Sequence, residues 1–446
     1  MSAGEKQWWC EHAWLPPGQV VARVLIGVAD GRITSVSTDV DQPDSATRLT
    51  GLVIPGLANV HSHAFHRALR GRTQAGRGDF WSWRDQMYAV ANQLDPESYL
   101  ALARATYAEM ALAGISCVGE FHYVHHQPSG VPYAQQNVMG AALIEAAAQV
   151  GVRLTLLDTC YVAGGIDEPL SEQQRRFGDG DADGWAARVG MFGDVGPYAR
   201  LGAAIHSVRA VPAEQLAVVA GWARDRGAPL HFHLSEQRAE NDACLRRYGV
   251  TPTQLLAEHD VLGDAAVAVH ATHLRDADVA ALGASSTGVC MCPTTERDLA
   301  DGIGAAGALA AAGVPLTVGS DGQSVIDMFE EARGIELGVR LTTNVRGTFG
   351  AAQLLDAATA AGHRALGWSD AGVLAIGMRA DLVAVDLGSV RTAGGGASAE
   401  TVVFAAAAAD VTDVVVDGTA VVRDRRNVRI DDVGAALSAA IAQVTG

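Results

Sequence analysis

The sequence predicts a (β/α)8 TIM barrel joined to a small β domain built from both chain ends. Three observations predict it. Between Leu52 and Gly322 a short apolar, β-branched run followed by an Ala/Leu-rich stretch of helical period recurs eight times. The runs end in polar residues, as barrel strands do where they meet the βα loops that carry active sites. Both flanks alternate with period two around Asp-Gly pairs, a hairpin signature.

The runs, in order, are LVIPGLANVHSH, GISCVGEFHYV, VRLTLLDTCYV, ARLGAAIHSVRAV, APLHFHLSE, AAVAVHATHL, STGVCMCPTTE and VPLTVGSDG. Stretches such as PESYLALARATYAEMALAG and AEQLAVVAGWARDRG separate them and supply the helices. A doubly wound open sheet would give the same alternation. Eight units, with polar ends spread over the first, fifth, sixth and eighth, favour closure. VVARVLIGVADGRITSVSTD precedes the barrel and turns at Asp30-Gly31; GVLAIGMRADLVAVDL and VTDVVVDGTAVVRDRRNV follow it, the second turning at Asp417-Gly418. These segments are expected to meet as a composite β-sandwich of residues 1–54 and 370–446, leaving 55–369 to the barrel. Residues 393–400, AGGGASAE, read as a flexible loop.

Charge narrows the partners. Against 50 acidic residues stand 33 basic ones, a net −17, and a surface of that sign repels phosphate backbones and anionic lipid. Neither nucleic acid nor a membrane is expected. An anionic small substrate needs local arginines and histidines instead. No run approaches the ~18 apolar residues of a membrane span and the start lacks a secretory pattern, so a cytoplasmic protein is expected. Six scattered cysteines, Cys10, Cys117, Cys160, Cys244, Cys290 and Cys292, read as free thiols.

Catalytic zinc takes histidine and carboxylate ligands and keeps a position for water, so His and Asp at strand ends are the candidates. His61 and His63, two apart at the end of the first run, point to the same side of an extended chain. His233 ends the fifth run and Asp321 the eighth. Glu236, three residues beyond His233, can reach over a metal without ligating it and carry protons. Alone, the HxH pair also suits strand-end histidines bonded to backbone.

Taken together, HxH, HxHxxE, a sixth-run histidine and a final Asp resemble the amidohydrolase superfamily over essentially the whole chain. That resemblance implies one Zn²⁺ per chain, held by His61, His63, His233 and Asp321, with a bound water as nucleophile. It gives His273 of VHATHL the task of orienting that water and stabilising charge, with Asp321 sharing the proton; His270, His122, His125 and His126 read as packed histidines. No lysine ends the fourth run, which argues against a second, bridged metal. NVHSHAFHRALRGRT, FWSWRDQMY, GEFHYVHH, AAIHSVRAV and MCPTTERDLADG further resemble the N-formimino-L-glutamate iminohydrolases. By that likeness Arg84, Tyr123, His206 and Arg209 bind the carboxylates of a small dicarboxylate substrate, and a homodimer is expected. His66 stands where the better-known pattern has glutamine, at the formimino end. Deamination of a heteroaromatic base, such as guanine or a pterin, stays open beside this reading, as does a scaffold that has lost its chemistry.

Overall fold

The eight apolar runs form eight parallel strands, here numbered within the barrel: β1 Leu57–Ser62, β2 Ile115–His122, β3 Arg153–Cys160, β4 Ala199–Ile205, β5 Leu230–Leu234, β6 Ala266–His270, β7 Gly288–Met291 and β8 Leu316–Val318. The computed structural model describes residues 6–75, 78 and 80–445. Each strand pairs in parallel with its sequence neighbour. Beyond the end of β8 the ring closes on β1, where Asp321 N–H donates to the His61 carbonyl at 2.9 Å and His63 N–H to the Asp321 carbonyl at 3.3 Å. Gly319 permits this approach: a Cβ there would lie 2.8 Å from the backbone N and O of His61.

Helices cover the ring between strands, and their ends follow local chemistry. Ahead of helix Pro96–Leu112, the Asp95 carboxylate accepts from Ser98 N–H at 2.8 Å and the Ser98 hydroxyl accepts from Asp95 N–H at 2.9 Å, with Pro96 opening the first turn.

The chain ends build one continuous eight-stranded sheet. Lys6–Leu15, Gln19–Ala29, Arg32–Ser37 and Thr47–Pro55 come from the N-terminal end, and Leu382–Val385, Val411–Val416, Thr419–Arg423 and Arg426–Asn427 from the C-terminal end. Both Asp-Gly hairpins carry positive φ at both turn residues, 50° and 76° at Asp30-Gly31 and 46° and 68° at Asp417-Gly418. Thr47–Pro55 joins the two halves, pairing parallel to Lys6–Leu15 and antiparallel to Leu382–Val385. Buried Arg153, at the start of β3, ties barrel to sheet through Asp381 and, at 3.1 Å, Asp417. The β-rich reading of the C-terminal end missed helix Val433–Thr445, which packs on Pro96–Leu112. In the segment read as a flexible loop, Ser398 caps a short helix, Ala399–Phe404. All six cysteines are free and buried. Among the described residues no helix is long and apolar enough to cross a membrane.

Candidate metal centre and catalytic pocket

His61 and His63 share one side of β1 while Ser62 between them points away, the alternation every strand imposes. His233 reaches in from β5 and Asp321 from just beyond β8. One donor atom from each of the four lies within 4.8 Å of all the others, and all four side chains are buried. His61 Nε2 stands 3.2 Å from Asp321 Oδ1, His63 Nε2 3.4 Å from the same oxygen, and His61 Nε2 3.1 Å from His233 Nε2. A tetrahedral centre with metal–ligand bonds of ~2.0–2.1 Å has edges of about 3.3 Å, so these separations fit a zinc-sized ion.

The ring orientations fit as well. His63 Nδ1 lies 2.9 Å from the Phe121 carbonyl and His233 Nδ1 2.9 Å from the His206 carbonyl. A carbonyl only accepts, so each Nδ1 carries the hydrogen and each Nε2 turns a lone pair toward the centre. Burial holds the three imidazoles below their ordinary pKa, in the neutral form a metal needs. Burial also works against the Asp321 carboxylate, but the neighbouring rings, His61 first, more than offset it and keep it ionised.

Glu236 lies beside this cluster, buried, with one oxygen 3.8 Å from His270 Nε2 and the other 3.6 Å from Arg209 Nη2. Burial raises its pKa, while His270 and Arg209 pull it down. His270, at the end of β6, is no packed strand histidine. Its ring stacks on His233 with centroids 5.6 Å apart, and its Nε2 is 3.8 Å from Asp321 Oδ2. Its ordinary pKa would fall with burial, yet Glu236, Glu296 and Asp321 raise it well above that value.

The expectation for His273 is corrected accordingly. β6 ends at His270, and the backbone then turns through two positive-φ residues, His270 at 69° and Ala271 at 52°. That turn leaves His273 half-buried, with its ring against Gly302 and the Asp301 backbone rather than facing Asp321 and Glu236.

The cluster opens into a cavity of about 510 Å³ lined by His66, Arg84, Tyr123, His206 and Arg209, all five of the residues expected to touch substrate. His66 packs on the His63 ring at 4.4 Å between centroids and meets the Tyr123 hydroxyl at 3.1 Å; burial pushes its pKa down to about 3. The Arg84 guanidinium lies 4.4 Å above the Trp81 ring. His206 rests on Tyr161 at 4.2 Å between centroids. Arg209 donates to Glu240 at 3.0 Å.

A model described as the amidohydrolase family matches residues 52–421. Over 431 residues the chain is 37% identical to the formimidoylglutamate deiminase of Pseudomonas aeruginosa, covering 94% of each. The chain belongs to the amidohydrolase family. A crystal structure of an amidohydrolase from Brucella melitensis superposes with a TM-score of 0.90 at 32% identity, covering 99% of this chain and 100% of that one. A zinc-bound adenosine deaminase from Xanthomonas campestris does so with a TM-score of 0.84 at 25% identity, covering 98% and 97%.

This amidohydrolase is a hydrolase of C–N bonds, and its site contains residues that pattern reading passed over. Glu240, four residues after Glu236 and in the first turn of helix Arg238–Tyr248, accepts from Arg209 and from Ser235 N–H at 3.0 Å, so Arg209 stands between two buried carboxylates. The four-residue spacing of the two glutamates was the available signal. Trp83, Tyr88 and Tyr161 wall the cavity. Single aromatic residues in apolar segments look like core residues until a cavity is seen beside them.

Proposed function

We propose that this chain is a zinc-dependent deiminase that converts N-formimino-L-glutamate and water to N-formyl-L-glutamate and ammonia. The observation that carries the reading is the pairing, within one small cavity, of a four-ligand metal cluster with two arginines and His206 suited to carboxylates. Identity to a named formimidoylglutamate deiminase supports it.

His61, His63, His233 and Asp321 would hold the zinc, which supplies a hydroxide-like nucleophile at neutral pH. Glu236 accepts the proton released by the attacking water and returns it to the departing nitrogen, for which its raised pKa suits it. His270 takes the task expected of His273: its proton, held by the surrounding carboxylates, stabilises charge developing on the oxygen that adds to the substrate carbon.

Arg84, Tyr123, His206 and Arg209 hold the two carboxylates, leaving the formimino carbon beside His63 and His66. With glutamate tethered at its carboxylates, the free nitrogen turns toward Glu236 and leaves as ammonia. Product analysis by NMR tests this: formylglutamate with ammonia is expected, whereas formamide with free glutamate would mean the substrate binds the other way round. The aromatic wall of Trp83, Tyr88 and Tyr161 supports a second reading, deamination of a heteroaromatic ring.

A further inference from the structure

Behind the metal ligands, on the outward side of β1, five fully buried polar side chains form a chain of hydrogen bonds. Asn59 Nδ2 donates to Ser320 Oγ at 2.7 Å, and the Ser320 hydroxyl donates to Gln323 Oε1 at 2.8 Å. Gln323 Nε2 donates to Ser62 Oγ at 2.9 Å, and the Ser62 hydroxyl donates to Glu120 Oε2 at 2.9 Å. Two backbone groups fix its direction. Ser320 N–H donates to Asn59 Oδ1 at 2.9 Å, which leaves only the Asn59 NH₂ to face Ser320 Oγ. Ala64 N–H donates to Glu120 Oε1 at 2.7 Å, which makes that oxygen an acceptor too. The chain therefore runs one way and ends on the Glu120 carboxyl group, both of whose oxygens accept.

Its placement is specific. Ser62 lies between His61 and His63, Ala64 follows His63, Ser320 precedes Asp321, and Gln323 follows it by two. Asp321 and Gln323 both carry positive φ, 40° and 58°, a backbone that needs outside support. No basic side chain is ion-paired with Glu120 among the described residues. Burial pushes its carboxyl up to about 8 against the pull of its donors.

We propose that Glu120 is a positioning residue for the metal centre, acting through Ser62, Gln323, Ser320 and Asn59 to lock the two-histidine segment of β1 against the loop that carries Asp321. The proposal rests on the reading of His61, His63, His233 and Asp321 as metal ligands and is independent of the substrate. Glutamine at 120 would set an NH₂ against either the Ala64 N–H or the Ser62 hydroxyl, two donors face to face.

The test is Zn²⁺ affinity of the full-length protein, measured by competition with a chromophoric chelator. Glu120→Gln is expected to weaken Zn²⁺ binding at least ~10-fold, as loss of a supporting contact does. Ser62→Ala, a small change that folding tolerates better, should weaken it comparably, and the double variant should lose no more than the worse single one. A merely structural contact would lower the melting temperature of the metal-free protein and leave the Zn²⁺ dissociation constant of the folded protein unchanged. Wild-type affinity in Ser62→Ala, or in folded Glu120→Gln, overturns the proposal. A wild-type chain that binds no Zn²⁺ overturns instead the ligand reading beneath it.

Discussion

Glu236 and His270 stand 3.8 Å apart above the ligand cluster, and neither belongs to the four-residue ligand set. Glu236→Gln is therefore expected to retain zinc while kcat falls roughly 10²–10⁴-fold, the usual worth of a positioned proton carrier. Zinc analysis of the purified variant checks this, since loss of metal would make Glu236 a ligand. The two histidines of the sixth run give a sharper contrast. His270→Asn should lower kcat/KM by roughly 10²–10³-fold, as removal of a group that stabilises developing charge does. His273→Asn, turned toward Gly302, should stay within about twofold of wild type, a surface-like change. Reversal of that order in steady-state kinetics would return the role to His273. In the sequence the two residues are indistinguishable, because VHATHL does not say where the strand stops; the positive φ of His270 and Ala271 decides it.

Larger elements are held by buried charge outside the lining of the cavity. Asp158 on β3 accepts from Trp185 Nε1 at 2.9 Å and from both terminal nitrogens of Arg188 at 2.7 and 3.1 Å, pinning helix Ala182–Val189 to the barrel. His122, His125 and Asp158 also group closely enough for a cation, but Arg188 already covers both carboxylate oxygens. Asp158→Asn leaves that guanidinium underpaired and should destabilise the fold by about 3–5 kcal/mol, measured by denaturant unfolding. Burial raises the Asp158 pKa, yet Arg188 more than offsets it and the folded value lies below the ordinary one. A depressed carboxylate contributes stability above about pH 4 and loses it as pH falls toward the folded value. Wild-type unfolding free energy should therefore drop below pH 4, and the Asp158→Asn curve should fall less steeply; parallel curves would remove Asp158 from the acid response. The strands were legible because each is an apolar run closed by polar residues. The helix Val433–Thr445 was not, since GAALSAAIAQV follows alternating β segments and its partner, Pro96–Leu112, lies more than 300 residues away in sequence. Glu120 and Glu240 were equally hidden. A glutamate's task depends on what faces it across the fold, and neither Ser62 nor Arg209 is near its partner in sequence.

Across the whole molecule, a net charge of −17 surrounds a cavity whose floor gathers histidines and whose wall presents Arg84 and Arg209. At physiological salt, charges beyond ~8–10 Å are largely screened, so it is the cavity's own cations, not the net charge, on which the proposed preference for a small dicarboxylate over a neutral purine rests. The aromatic wall and the likeness to an adenosine deaminase make the purine the informative competitor. The decisive measurement is ammonia release by the zinc-loaded protein, with N-formimino-L-glutamate and adenosine assayed side by side and a chelator-treated sample as control. The account predicts kcat/KM for formiminoglutamate at least ~10³-fold above that for adenosine, beyond what an apolar pocket alone discriminates, abolished by chelation and restored by Zn²⁺. Turnover of adenosine without turnover of formiminoglutamate, or full activity after the metal is removed, would contradict it.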